Sequence, residues 1–175
     1  MNSPTKGAVI YSSRYGATQQ YAEWLAEELK WPLLEAENTT NKDLAPYDTL
    51  IIGSSVYIGK LLIKSWLKSH DPVLGDKDLF FFIVCGTPAS EREKQETIAR
   101  INIPHDLIGP ENVFFLPGRL TIGNLSWKDK FMLRMGARLL KDPAKKASIL
   151  KDIDEVKKEH LSPILQHVAA PIEVI

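Results

Sequence analysis

Seven consecutive residues, Ser12-Ser13-Arg14-Tyr15-Gly16-Ala17-Thr18, hold the most suggestive chemistry in the chain. Hydroxyls stand at both ends, and a helical pattern begins at once. Between them a single glycine permits a tight turn with close backbone approach. Backbone N–H groups at a helix start point outward and carry partial positive charge. With hydroxyl donors from Ser12, Ser13 and Thr18, such a set suits one terminal phosphate. A dinucleotide fold would place G-x-G-x-x-G here, and a P-loop G-x-x-x-x-G-K-[ST]. Neither is present. Serine and threonine also serve as plain helix caps, which is the competing structural reading.

Two further segments have small and polar residues where ligands gather. They are Gly53-Ser54-Ser55-Val56-Tyr57-Ile58-Gly59-Lys60 and Cys85-Gly86-Thr87-Pro88-Ala89-Ser90. Cys85, the single cysteine, reads as a small buried hydrophobe more readily than as a redox thiol. His70, His105, His160 and His167 fall on helices or turns away from these segments and read as surface or capping residues. No general base and no metal-ligand set is evident, so no catalytic side chain is assigned.

The elements that must position these segments alternate. Gly7–Tyr11, Leu33–Ala36, Thr49–Ser54, Leu79–Cys85 and Val113–Leu116 are short apolar runs that read as strands. Thr18–Lys30, ended by Pro32, together with Leu61–Ser69, Glu91–Ile101 and Asp154–Val168, kinked at Pro163, read as helices. Strands alternating with helices argue for a parallel α/β sheet with right-handed crossovers. Ligands then sit beyond the carboxyl ends of the strands, where the three segments above lie.

Val9-Ile10-Tyr11-x-Ser13-x-x-Gly16-x-Thr18-x-x-x-Ala22-x-x-Leu25 resembles the flavodoxin signature, with every fixed position filled. The resemblance implies a three-layer α/β sandwich with a five-stranded parallel sheet in the order 2-1-3-4-5. It implies FMN as cofactor, with the phosphate on Ser12, Ser13, Arg14, Tyr15, Gly16, Ala17 and Thr18. The flavin ring would lie against Ser54, Ser55, Val56, Tyr57, Ile58, Gly59, Cys85, Gly86 and Thr87, with Tyr57 stacked on it.

After the fifth strand the chain departs from a short flavodoxin. Ser126 with Asp129 resembles a capping box, and Trp127, Phe131, Met135 and Leu139 recur every four residues. Lys130, Arg134, Arg138 and Lys141 form an adjacent stripe, making a basic amphipathic helix. Leu116-Pro117-Gly118-Arg119-Leu120 followed by this helix is similar to the menaquinone-dependent protoporphyrinogen IX dehydrogenase family of long-chain flavodoxins. That likeness implies hydrogen removal from a porphyrinogen to FMN and onward transfer to a quinone. Three alternatives stay open on function: this enzyme, an electron-transfer flavodoxin with a protein partner, and a flavin-free domain. The helix likewise either meets substrate or membrane, or simply packs on the sheet.

Composition agrees with one globular domain over 1–175, with an insert at about 117–151. At 175 residues, 44% hydrophobic and 25% charged, the chain can bury a core without disulfides. The longest apolar run, Leu79–Cys85, is far short of the about 20 residues of a membrane span. Met1–Lys6 shows no signal peptide, which makes a cytoplasmic location the expectation. Net charge is zero, yet residues 112–151 hold nine Lys and Arg against two Asp, an asymmetry that suits an anionic surface. The expected partners are a porphyrinogen or another small redox substrate, a quinone, and a membrane touched peripherally through the basic helix. Nucleic acid is not expected.

Overall fold

The computed structural model describes residues 6–169; residues 1–5, where no signal peptide was read, lie outside them. In chain order the elements are β1 (Gly7–Ser12), α1 (Ala17–Leu29), β2 (Leu33–Glu35), α2 (Asn41–Leu44), β3 (Thr49–Tyr57), β4 (Lys60–Leu61) and α3 (Lys64–Leu74). There follow β5 (Asp78–Cys85), α4 (Arg92–Asn102), β6 (Val113–Pro117), β7 (Arg119–Leu120), α5 (Trp127–Leu139), α6 (Pro143–Ile149), β8 (Ile153–Asp154) and α7 (Ser162–Ala169).

The five strands read from the sequence are β1, β2, β3, β5 and β6. They pair in parallel in the order β2-β1-β3-β5-β6, with β4 added antiparallel to β3. Strand residues alternate faces, and both faces are covered. Ala8, Ile10, Leu50, Ile52, Phe81 and Ile83 pack with Leu67 and Leu74 of α3 and Ala99 of α4. Val9, Ile51, Phe82 and Val84 pack with Tyr21, Ala22 and Leu25 of α1 and Ile164 of α7. Gly53 is required at the centre, because a Cβ there would meet the Phe82 ring at 2.0 Å.

Several boundaries differ from the sequence reading, each for a local reason. Pro32 does not itself stop α1. Lys30 turns left-handed at φ 54°, and Trp31 N–H reaches the Ala26 carbonyl at 3.0 Å, which closes the helix by a Schellman motif. The third strand does not end at Ser54. It runs on to Tyr57 and folds back through Ile58 and Gly59, both at positive φ, pairing Val56 with Leu61 and Tyr57 with Lys60. Residues 60–61 are therefore strand, and the helix expected over 61–69 begins at Lys64 and reaches Leu74. The last helix was expected from Asp154; instead Ile153 and Asp154 pair with β7. Its helix starts at Ser162, so Pro163 stands in the first turn, where its missing N–H removes no helical bond.

The β7–β8 pair, reinforced by Arg119 and Asp154 at 2.8 Å, clasps the two ends of the insert carrying α5 and α6. Helix α5 does not pack on the sheet as a core helix would. Trp127 is 75% exposed and Leu139 81%, and Phe131, Met132 and Met135 are exposed as well. Only Asp129 and Ala137 of α5 are buried. Among the described residues no helix is long and apolar enough to cross a membrane.

Candidate functional site

Strands β1, β3 and β5 are neighbours, and register sets Ser12 opposite Ser54 and Ser55 opposite Val84. Their carboxyl ends therefore bring the three chemistry-bearing segments together. In the first, Ser13 Oγ accepts from the Gly16 N–H at 3.1 Å, and Gly16 sits at φ 86° as the N-cap of α1. Gly16 has no side chain with which to close the helix, so the first-turn N–H groups of α1 keep their capacity for an anion. Ser12, Ala17 and Thr18 are buried. The Thr18 hydroxyl shares a 2.8 Å hydrogen bond with Ser55 Oγ, joining the first segment to β3.

The second segment is a β-hairpin rather than a loop. Ser54 is structural: buried, its Oγ accepts from the Ile63 N–H at 3.3 Å and donates to the Ser55 carbonyl at 3.1 Å. Buried Asn102 of α4 holds the turn by donating to the Gly59 carbonyl at 3.0 Å and accepting from the Leu61 N–H at 3.3 Å. Val56 and Tyr57 are half-buried, while Ile58 is 63% exposed at the tip. One face of the Tyr57 ring carries the Arg14 guanidinium, 4.1 Å from its centroid.

In the third segment Cys85 is buried, and burial pushes its thiol up, away from the reactive thiolate. Gly86 is exposed, and the Thr87 carbonyl accepts from Gln95 Nε2 of α4 at 3.0 Å. A Cβ built on Gly16, Gly59 or Gly86 would meet no heavy atom within 4 Å. The backbone of each of the three segments is thus unobstructed at that glycine.

The sequence reading missed one central residue, Asp129. It is 8% exposed at the start of α5. Arg14 donates to its Oδ2 at 3.0 Å, Tyr15 donates to the same oxygen, and Tyr57 donates to Oδ1 at 2.5 Å. Hydrogen bonds from Tyr15 and Tyr57, helped by Ser126 and the Arg14 charge, hold the carboxyl well below the usual carboxylate range. The same contact pushes the Tyr57 phenol up. The capping box read at Ser126 and Asp129 is half formed. Ser126 Oγ accepts from the Asp129 N–H at 3.2 Å, but the carboxylate turns outward to the other loops. The available signal was its rarity, one of two acids in a strongly basic stretch.

The histidines stay clear of this site: His105 and His167 are exposed, as a surface reading expects, while His70 and His160 are half-buried. His160 shares a 3.1 Å hydrogen bond with the buried Tyr21 hydroxyl. His70 stacks on Trp66 at 4.3 Å, and His167 meets the edges of Phe80 and Phe114. Among the described residues no group of His, Cys, Asp and Glu is suited to a metal.

An uncapped helix start flanked by hydroxyls, with open glycine edges nearby, fits a phosphate joined to a planar ring system. The chain is 24% identical over 140 residues to a protein named protoporphyrinogen IX dehydrogenase [quinone] from Escherichia coli K12, covering 74% of this chain and 77% of that one. The same figures hold for its counterpart in Escherichia coli O157:H7. Similar solved structures include a flavodoxin from the domain Archaea (TM-score 0.44, 17% identity, 65% of this chain and 85% of that one). Another is a flavodoxin, WrbA-like protein from Agrobacterium tumefaciens (TM-score 0.47, 16% identity, 68% and 87%). The profile of the flavodoxin domain matches residues 8–146, and flavodoxin-like proteins bind flavin, typically FMN. With its signature loop, its parallel sheet and this match over most of its length, the chain belongs to the flavodoxin domain family.

Proposed function

We propose that the chain binds FMN across the three segments and acts as an FMN-dependent oxidoreductase on a porphyrinogen, with a quinone as acceptor. The observation that carries this reading is the uncapped, hydroxyl-flanked start of α1 beyond β1, tied through the Thr18 hydroxyl to Ser55 of the neighbouring β3. Ser12, Ser13, Arg14, Tyr15, Gly16, Ala17 and Thr18 would hold the phosphate through backbone N–H groups and hydroxyls. The hairpin and the Cys85-Gly86-Thr87 turn would flank the ring. Tyr57 is engaged by Arg14 and Asp129, so the exposed Ile58 is the hairpin's freer apolar surface toward a ring. FMN itself would supply the redox chemistry, taking up hydrogen equivalents and releasing electrons to an acceptor.

The substrate reading rests on α5. Its exposed apolar face suits an apolar macrocycle, and its arginines suit two propionates, which they pair bidentately. The name of the Escherichia coli relative points the same way. The same face, with its basic flank, also suits peripheral contact with an anionic membrane, where a quinone would reside.

The test is an anaerobic assay of FMN-loaded protein with protoporphyrinogen IX and a menaquinone analogue, followed by porphyrin fluorescence. Turnover that requires both FMN and the quinone is expected. Firmly bound flavin without turnover would contradict the substrate assignment and favour electron transfer to a protein partner.

A further inference from the structure

Asp129 is the sole acid of α5, and its carboxylate does not serve its own helix. In a complete capping box the acid at this position bonds back to the cap N–H. Here the Ser126 N–H donates instead to the Tyr15 hydroxyl at 3.4 Å. The carboxylate takes three donors from two separate parts of the candidate site: Arg14 and Tyr15 from the phosphate loop, and Tyr57 from the hairpin. All three bonds are charge-assisted and hence stronger than neutral ones, and Arg14 lies on the Tyr57 ring as well. The remaining α5 surface is mostly exposed, so this contact is a principal attachment of the helix to the site.

We propose that Asp129 is a positioning residue that latches the insert onto the phosphate loop and the hairpin, so that cofactor occupancy and insert docking strengthen each other. The coupling rests on the reading of these loops as the FMN site. Its sign follows from the donors. The latch uses side chains of Arg14, Tyr15 and Tyr57, whereas a phosphate at the start of α1 would use backbone N–H groups that the latch leaves available. Both can be satisfied together. Whichever forms first orders the loops the other needs, and the effect is reciprocal.

The experiment is limited trypsin digestion of the full chain, since α5 and α6 present exposed Lys128, Arg134, Arg138, Lys145 and Lys146. Wild type, Asp129→Asn and Tyr57→Phe are compared with and without saturating FMN, with FMN affinity measured in parallel. Cleavage of the wild-type insert should slow by roughly tenfold when FMN binds, within the usual range for coupled sites. Asp129→Asn should cleave faster without FMN, lose the protection, and bind FMN more weakly by a similar factor. Tyr57→Phe should act in the same direction, and the double variant should be less than additive. The Tyr57 phenol, released from the carboxylate, should also ionise at lower pH in Asp129→Asn, read by tyrosinate absorbance. Far-UV dichroism of each variant separates these effects from loss of fold. Equal cleavage of wild type and Asp129→Asn without FMN would overturn the latch. Equal protection of both by FMN would overturn the coupling. A wild-type chain that binds no FMN would remove the cofactor reading and the coupling with it, while the apo cleavage rates still decide the latch.

Discussion

Ile58 occupies the least comfortable backbone conformation in the site. It is β-branched, sits at φ 49°, and is 63% exposed at the hairpin tip, where asparagine and glycine are the usual occupants. Holding a residue there costs roughly 1–3 kcal/mol, and such strain gathers at functional sites. Ile58→Gly should therefore raise stability by about 1 kcal/mol in urea unfolding while weakening FMN binding. A loss of stability would mean that the side chain packs rather than serves a ligand. The sequence made the first segment legible at this scale, because signature residues within a few positions of one another define it. Tyr57 was read as a ring-stacking residue, and its setting against Arg14 and Asp129 was not foreseen. Its partners Arg14 and Asp129 lie far away in sequence, and no local pattern announces a carboxylate that leaves its own helix for loops 114 and 72 residues distant.

Among elements, the parallel strands were the most readable: the central β1, β3 and β5 are apolar runs largely buried on both faces, while β2 and β6 at the edges are short and mostly half-buried. The β3–β4 hairpin was hidden for the opposite reason. Ser55, Val56 and Tyr57 form no apolar run, and the turn uses Ile-Gly in place of a recognisable Asn-Gly. Pro163 misled because proline opens a helix as readily as it breaks one. Helix α5 was legible as a basic amphipathic helix, yet periodicity alone could not say whether its apolar stripe faced the sheet. The exposure of Trp127, Phe131 and Leu139 shows that the stripe does not pack on the sheet. Changing Arg134, Arg138 and Lys141 together to Glu should abolish sedimentation of the protein with anionic vesicles, given about 1 kcal/mol per basic residue near such a surface. Sedimentation that is unaltered, or that never occurs in wild type, would contradict the membrane reading.

At the scale of the whole molecule, charge and architecture separate cleanly. A neutral chain gathers nine basic residues between 112 and 151, and most of them lie on an insert whose ends are clasped by β7 and β8. The rest is a parallel sheet with helices on both faces, whose strand ends leave a phosphate-sized donor set beside open glycines. The two parts meet at Asp129, which holds the start of α5 against the phosphate loop and the hairpin. The most direct measurement is a fluorescence titration of FMN with the wild-type chain and with Ser13→Ala combined with Thr18→Ala. Saturable one-to-one quenching is expected in wild type, with affinity weaker by about tenfold or more in the variant as donors to a charged phosphate are lost. Absence of saturation in wild type, or equal affinity in the two proteins, would contradict the placement of the flavin phosphate on this loop.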